Sequence, residues 1–153
     1  MASTRIVRHI NALRAAIYNA LLDPTAIAKW KVPDGMSCQV HTFDAREGGQ
    51  FRISLTYDEP TGTGKTTEHT DTYHGYFAKL VTDQEVVEVD EFETNNSALR
   101  GEMTITFRLT DVPGGTSLVA IHEGLPPGLS LEDNKTGWEM TLAKLAKLVE
   151  SET

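Results

Sequence analysis

Apolar and polar residues alternate along much of the middle of the chain, which is the pattern of β-strands with one buried face. The alternation is clearest over residues 51–57 and 102–110, where every second residue is large and apolar. Successive side chains of a strand point to opposite sides of a sheet, so each stretch places its apolar residues on one face. Further runs rich in β-branched residues predict strands at about 4–10, 37–44, 66–80, 84–93 and 116–123.

Apolar residues at helical spacing predict a long helix at the C-terminal end, over about 130–150. Ser130 can cap its first turn together with Asp133, which stands three residues later. Gly137 lies inside this helix at a cost of about 1 kcal/mol relative to alanine, so it serves either close packing or the room that a ligand needs. The apolar stripe of the helix is formed by Leu131, Trp138, Leu142, Leu145 and Val149.

Two shorter helices are predicted between the first strand and the second. Asn11 is expected to cap the first helix. Asp23 is expected to cap the second helix, which begins at Pro24 because proline suits a first helical turn. The apolar face of the first helix is predicted to contain Leu13, Ala16, Ile17, Ala20 and Leu21.

The predicted order is therefore one strand, two short helices, a run of about six strands and a long helix. Helices gathered on one side of an antiparallel sheet define an α+β fold. A long amphipathic helix that lies across the concave face of a curved sheet buries the apolar faces of both. We expect residues 1–153 to form a single domain of this kind.

The composition excludes several classes of function. The chain has 153 residues with 14 basic and 22 acidic side chains, and its net charge of -8 argues against binding to nucleic acid or to an anionic membrane. Cys38 is the one cysteine, which excludes an internal disulfide and a multi-cysteine zinc or iron–sulfur site. No apolar run reaches the ~20 residues that span a bilayer, and the first residues lack the apolar core of a signal peptide. We expect a cytoplasmic protein without a cofactor or a metal.

The string Gly-Thr-Gly-Lys-Thr-Thr at residues 62–67 is similar to a phosphate-binding loop but does not meet its requirements. The motif needs a glycine where this chain has Glu59. It also needs a helix after the loop, whereas residues 68–80 have the pattern of a strand. We interpret the string as a hairpin turn and not as a nucleotide site.

A second polar stretch suggests a metal site at first inspection. It contains Glu68, His69, Asp71 and His74. In a strand these residues point to both faces, and neither face then has the three nitrogen or sulfur ligands that are typical of catalytic zinc. A solvated or hydrogen-bonded polar strand is the favoured interpretation.

Acidic residues are concentrated between positions 83 and 93, where no basic residue is found. Carboxylates on neighbouring strands repel one another unless they are solvated or paired. A solvated sheet face is the favoured interpretation, and a docking surface for a basic partner is the alternative. The acids are Asp83, Glu85, Glu88, Asp90, Glu91 and Glu93.

His122 is a histidine whose orientation the pattern leaves open. It is in phase with Leu118 and Ala120, but Val119 and Ile121 are equally apolar on the other face. A structural histidine that bonds to the backbone is favoured over a general base.

Several segments carry a resemblance that covers nearly the full length in a specific order. They are Asp23-Pro24 with Trp30, Pro33-Asp34-Gly35-Met36, residues 43–49, residues 68–75, Asp90-Glu91-Phe92, residues 99–103, Thr116, His122-Glu123-Gly124-Leu125-Pro126 and Trp138. In these segments the chain resembles the activator-of-heat-shock-protein-90-ATPase-like proteins. That family is part of the START-like (Bet v 1-like, polyketide cyclase) superfamily.

The resemblance implies a helix-grip fold, in which a bent antiparallel sheet of about seven strands holds the C-terminal helix and an apolar cavity lies between them. Members of the superfamily bind lipids, polyketides or hormones, and a few catalyse cyclisation or dehydration. The family name connects such proteins with the stress response. The eukaryotic activator has an additional N-terminal domain that engages the chaperone, and this chain has no room for one, so a chaperone partner is only a secondary expectation.

Our leading hypothesis is a non-enzymatic module that binds a small hydrophobic or amphipathic ligand between the sheet and the C-terminal helix. No catalytic residue is assigned. The residues expected to line the cavity are Trp30, Phe51, Ile53, Tyr57, Tyr76, Met103, Ile105, Phe107, His122, Trp138 and Leu142.

Two alternative functions remain open at this point. An enzyme of the cyclase or dehydratase type, acting on a polyketide-like substrate, would use His122 or His74 as proton carrier and Tyr57 or Tyr76 as hydrogen-bond donor. A protein-interaction module would use the acidic strand at 83–93. A homodimer would form through a sheet edge or through the same acidic face.

Overall fold

The structure, a computed structural model, describes residues 3–58 and 69–150. Strands and helices follow one another there in the order that alternation and spacing predict. The strands are β1 (Ser3–Ile10), β2 (Met36–Phe43), β3 (Gln50–Tyr57), β4 (Thr70–Val81), β5 (Glu85–Phe92), β6 (Met103–Val112) and β7 (Gly115–Glu123). The helices are α1 (Arg14–Leu21), α2 (Pro24–Trp30) and α3 (Leu131–Glu150), with a 3-10 turn at Ser97–Leu99.

The connection between β3 and β4 falls in the part of the chain that is not described. The hairpin turn predicted for the string at 62–67 and the polar residue Glu68 therefore lie outside the described residues. The strand predicted at 66–80 is observed from Thr70 to Val81.

All seven strands belong to one antiparallel sheet in the order β1-β7-β6-β5-β4-β3-β2. The first strand of the chain therefore lies beside the last one. The register shifts between Val40 and Thr42 in β2 and between Phe77 and Lys79 in β4. Such bulges bend a strand, so they contribute to the curvature of the sheet. The curved sheet and the long helix across it confirm the predicted α+β helix-grip fold.

The core fills the space between the concave face of the sheet and the helices. Inward-facing strand residues meet α1, α2 and the stripe of α3 that includes Leu142 and Val149. Trp30 and Phe107 meet edge to face with their ring centroids 6.4 Å apart. The Trp30 indole donates a 2.9 Å hydrogen bond to the carbonyl oxygen of Ala20, so the ring is buried without an unpaired donor.

Two of the predicted helix starts are confirmed. At the start of α2, a carboxylate oxygen of Asp23 accepts a 2.9 Å hydrogen bond from the Thr25 N–H. At the start of α3, the Ser130 hydroxyl oxygen accepts a 3.2 Å hydrogen bond from the Asp133 N–H. Each bond satisfies a backbone donor that has no partner inside its helix. Within the described ranges, no helix is long and apolar enough to cross a membrane.

The predicted cap of α1 is wrong. The helix begins one residue after Leu13, which occupies the N-cap position without a side-chain hydrogen bond and is 73% exposed. Tertiary contacts hold the preceding residues instead. Thr116 donates a 2.7 Å hydrogen bond to the carbonyl oxygen of Ala12, and the Asn11 N–H donates to a carboxylate oxygen of Glu150. These bonds keep residues 11 and 12 outside the helix.

The acidic strand β5 has two different faces, which corrects the expectation of a solvated face. Glu88 and Asp90 are buried on the concave side, whereas Glu85 and Glu91 are only partly buried on the other side. Valines stand on both faces of β5, so its composition could not determine which carboxylates point inward. Because Glu88 and Asp90 are enclosed, they are also out of reach of the basic docking partner considered above.

Replacing Asp23 with alanine is expected to lower the free energy of unfolding by about 1 kcal/mol, because the Thr25 N–H loses its partner. The matched control is Asn11→Ala, whose side chain does not cap α1, so its effect is expected to stay below about 0.5 kcal/mol. Urea denaturation measures both values. Equal losses in the two variants would contradict the assignment of the caps.

Candidate functional site

A cavity of about 580 Å³ opens between the first half of α3, the loop that follows α2 and the concave face of the sheet. The later residues of α3 pack into the core beside β1, α1 and α2, whereas the α3 residues of the cavity wall come no later than Thr141. Gly137 contributes to this opening. A Cβ added there would find Pro33 Cγ as its nearest neighbour, 4.0 Å away. Room beside the helix, and not close packing, is therefore what Gly137 provides.

The wall of the cavity combines apolar and polar side chains. Hydrocarbon surface comes from several strands and from α3, so an apolar ligand segment would be in contact with protein on more than one side. The apolar side chains include Met36, Leu55, Phe92, Met103, Ile105 and Trp138. The buried polar side chains of the wall are Lys31, Asp71, Tyr73, Asp90, His122 and Thr141.

An ion pair between Lys31 and Glu88 lies at the inner side of the cavity. Lys31 directly follows α2, and its Nζ atom lies 2.6 Å and 2.9 Å from the two carboxylate oxygens of Glu88 on β5. Their side chains are 8% and 2% exposed, so both charges are removed from water. The ammonium also lies 5.7 Å from the ring centroid of Phe51 and 6.0 Å from that of Phe107. A buried charge is tolerated when it is paired in this way.

The pKa of Lys31 is set by two opposing effects. Burial lowers it, but the negative charges of Glu88 and Asp90 outweigh burial and leave the pKa above its ordinary value. The lysine is therefore positively charged in the folded protein. Since both carboxylate oxygens of Glu88 lie within hydrogen-bond distance of Nζ, the charge of Lys31 is neutralised by Glu88.

Asp90 stands two residues after Glu88 on the same face of β5. It is 4% exposed, and its Oδ1 atom has no hydrogen-bond partner among the residues that the structure describes. Burial raises the pKa of Asp90 well above its ordinary value, and the charge of Glu88 raises it further, whereas Lys31 lowers it. Burial likewise raises the pKa of the neighbouring Tyr73 phenol, with a further contribution from Asp90. Both groups therefore keep their protons more strongly than they do in water.

His122 points into the cavity, which resolves the orientation that the pattern left open. The indole N–H of Trp138 donates a 3.0 Å hydrogen bond to Nδ1 of His122, so the imidazole proton is on Nε2, 3.3 Å from the sulfur of Met103. Burial lowers the pKa of His122 to about 4. The ring is therefore neutral at pH 7, and its partners are side chains, not the backbone as expected.

Five of the eleven residues expected to line the cavity do so. They are Tyr57, Met103, Ile105, His122 and Trp138. Five others are buried in the core and are not part of the cavity wall, namely Trp30, Phe51, Ile53, Phe107 and Leu142. They support the wall from behind, as the 6.4 Å contact between Trp30 and Phe107 and the 5.8 Å contact between Phe107 and Trp138 illustrate.

Tyr76 is not in the cavity wall, which corrects the expected position of this residue. It is 40% exposed and lies on the convex face of the sheet, where it lines a second pocket of about 420 Å³. His74 lies beside it, with its Nδ1 atom 3.1 Å from a carboxylate oxygen of Glu93. Arg52 binds the same carboxylate with two hydrogen bonds. Because a strand alternates, Tyr73 on the opposite face is the tyrosine of β4 that reaches the cavity.

The sequence did not suggest several residues of the cavity wall, among them the buried polar residues Lys31, Asp71, Tyr73 and Asp90. The phase of β4 and β5 decides which of their polar residues point inward, and that phase depends on pairing. Tyr73 is paired with the buried Ile53 of β3, and this register was the signal that could have identified Tyr73. In the described part of the chain, no cluster of three or more His, Cys, Asp or Glu side chains could hold a metal ion.

Replacing Lys31 with methionine is expected to lower the free energy of unfolding by about 3–5 kcal/mol, because Glu88 would remain buried without its cation. The double variant Lys31→Met with Glu88→Leu is expected to recover most of the loss, since it removes both charges. Arg46→Met, in an exposed ion pair with Asp44, is the matched control and should cost at most about 1 kcal/mol. Urea denaturation gives these values, and additive effects of the two buried substitutions would contradict the pairing.

His122 is expected to make folding sensitive to acid. Between pH 6.5 and about 4 the unfolded chain binds a proton at His122 that the folded chain does not, so stability falls as the pH falls through this window. The loss amounts to about 3 kcal/mol by pH 4. His122→Gln should remove it, whereas His9→Gln, on the exposed side of β1, should not. Parallel stability curves of the wild type and His122→Gln between pH 4 and pH 7 would contradict this assignment.

Comparison with known proteins identifies relatives of the chain. The model of the family described as activator of Hsp90 ATPase homolog 1-like protein matches residues 11–150. No curated protein matches the sequence significantly.

Solved structures share the fold over nearly the full length. A protein from Chromobacterium violaceum is 30% identical, with a TM-score of 0.87 over 97% of this chain and 96% of that chain. A protein from Rhodobacter sphaeroides is 19% identical, with a TM-score of 0.81 over 99% of this chain and 93% of that chain. An AHSA1 protein from Silicibacter pomeroyi is also 19% identical, with a TM-score of 0.80 over 99% of this chain and 100% of that chain. At 19% identity, the last two structures show only that the fold is shared.

The family match begins directly after β1 and extends to the end of α3, and the helix-grip fold agrees with it. The chain therefore belongs to the activator of Hsp90 ATPase homolog 1-like family, within the START-like (Bet v 1-like) superfamily.

Proposed function

We propose that the protein binds a small amphipathic molecule in the cavity between the sheet and α3. The observation that carries this proposal is a cavity of about 580 Å³ with buried polar groups in its wall. Small-molecule sites have volumes of about 300–1,000 Å³ and combine an apolar wall with a few polar groups. An interior that served stability alone would be close-packed and apolar.

The two kinds of wall suggest how a ligand is oriented. Met103, Ile105 and Trp138 offer hydrocarbon and ring surface for an apolar segment. Asp90 and Tyr73 offer buried polar atoms for a headgroup. A ligand with one apolar and one polar end would satisfy both parts, whereas a plain hydrocarbon would leave the polar atoms without partners.

Binding without catalysis fits the site better than the cyclase or dehydratase alternative. His74 and Tyr76 lie on the convex face, away from the cavity. His122 lies in the cavity wall, but both of its ring nitrogens already face Trp138 and Met103. A general base needs a nitrogen that is free to accept the proton of a substrate.

The interaction-module alternative also has less support than ligand binding. Charge reversal at Glu88 or Asp90 was its natural test, but these carboxylates are enclosed. On the convex side, Glu85 accepts hydrogen bonds from Lys79 and Arg108, which lower the pKa of this carboxyl. Glu85, one of the outer carboxylates of β5, is therefore already paired within the chain.

Gly137→Phe is expected to weaken the binding of an apolar probe at least about tenfold, because the ring would occupy the space that Gly137 leaves open. The probe is N-phenyl-1-naphthylamine, whose fluorescence increases in apolar surroundings. Titration of the full chain with this probe gives the dissociation constant.

Gly137→Ala is the matched control for this experiment. It adds one methyl group where 4.0 Å of space is available, so it should change the dissociation constant by less than about threefold. It should also raise the free energy of unfolding by about 1 kcal/mol, because alanine is the better helix former. The proposed function fails if the wild-type chain neither binds the probe saturably nor is stabilised against heat by octanol.

A further inference from the structure

We propose that the headgroup of the ligand is a protonated amine, which the buried Asp90 in the cavity wall binds. This inference rests on the proposed function and specifies the class of molecule that the cavity accepts: an amine with a single apolar tail.

The first observation is the unpaired oxygen of Asp90. Asp90 is 4% exposed and contributes to the cavity wall. Its Oδ1 atom has no hydrogen-bond partner within residues 3–58 and 69–150. Buried carboxylate oxygens almost always accept a hydrogen bond. Because Asp90 belongs to the wall of the cavity, its unpaired acceptor is a site for a donor that the ligand brings.

The second observation is the charge of the wall. Four aspartates contribute to it, and one basic side chain, Lys31, does so. Lys31 is already held by both carboxylate oxygens of Glu88, which is not in the wall. The aspartates are Asp34, Asp71, Asp90 and Asp133.

The remaining titratable groups do not reverse this balance. His122 is neutral at pH 7 because burial lowers its pKa to about 4. At the mouth, the Nζ atom of Lys144 lies 3.1 Å from a carboxylate oxygen of Asp34 and donates to the carbonyl oxygen of Val32. Lys31 and Lys144 are thus both held by carboxylates of the chain, and the described wall contains no further lysine or arginine. This favours a cationic headgroup over a carboxylate.

The protons balance when an amine enters. In the empty cavity, burial, the charge of Glu88 and a hydrogen bond with Glu88 favour the protonated form of Asp90, since all three raise its pKa. The incoming ammonium supplies a positive charge and N–H donors at the same place and so lowers this pKa. A proton that Asp90 holds then passes to the solvent, and the carboxylate remains. An N–H donor on a cation makes a stronger hydrogen bond to a carboxylate than a neutral hydroxyl does.

Three molecules with the same tail test the inference: octylamine, octanol and octanoate. Isothermal titration of the full chain at pH 7 is expected to give a dissociation constant for octylamine at least about tenfold lower than that for octanol. Octanoate is expected to bind at least about tenfold more weakly than octanol. Equal affinity for the three molecules would overturn the amine assignment and leave the proposed function in place. Failure of all three to bind would overturn both.

The variant Asp90→Asn keeps the shape of the side chain and removes its charge. It is expected to reduce the preference for octylamine over octanol to less than about threefold, while octanol still binds. The matched control is Asp34→Asn, which removes a wall charge at the mouth without changing the buried oxygen, and which should retain the preference. An unchanged preference in Asp90→Asn would overturn the proposal.

A measurement on the wild-type chain covers the case in which Asp90→Asn does not fold. The carboxyl ¹³C resonance of Asp90 reports its protonation state. In a pH titration, saturating octylamine is expected to lower the pH at which this resonance changes from the acid to the carboxylate position, and saturating octanol is not. A titration midpoint that octylamine leaves unchanged would overturn the proposal.

Discussion

The buried ion pair between Lys31 and Glu88 is the interaction on which the cavity depends. Two charges can leave water at a tolerable cost only if they meet, so the end of α2 must lie where Lys31 reaches the middle of β5. The pair thereby connects α2 and the loop behind it to the concave face of the sheet. That loop continues into Pro33 and Asp34, which form part of the cavity wall opposite α3. The position of one ion pair thus determines where the sheet is covered and where it is left open.

The same pair determines the chemistry of the cavity. The carboxylate of Glu88 neutralises the ammonium of Lys31. Asp90 therefore lies beside the negative charge of Glu88 and beside a lysine that is already paired. Above the ordinary pKa of a carboxyl group, the unfolded chain releases a proton from Asp90 that the folded chain binds more strongly. The contribution of Asp90 to the free energy of unfolding therefore falls as the pH rises through this range. His122 acts in the opposite direction over the acid range, because its folded pKa is lowered. Polar groups that each cost stability and face one cavity are typical of a functional site.

Much of the architecture could be predicted, because the signals for helices and strands are local. The alternation over 51–57 and the stripe of α3 each describe one element, and Asp23 acts on the backbone only two residues away. The cap predicted at Asn11 failed because its competitors, Thr116 and Glu150, are distant in sequence. In the candidate site, Ile105 belongs to a strand with a clear alternation, and it lies in the cavity wall.

The sequence by itself determined the kind of elements, their order, the absence of an internal disulfide and the family resemblance, since composition, periodicity and motifs suffice for these. Only the tertiary structure decided which carboxylates of β5 are enclosed, which way His122 points and that Tyr73, not Tyr76, reaches the cavity. The physical reason is that a strand with apolar residues on both faces has no phase of its own. Its inner face is chosen by the register with neighbouring strands and by a partner such as Lys31, which lies 57 residues away from Glu88 in the chain.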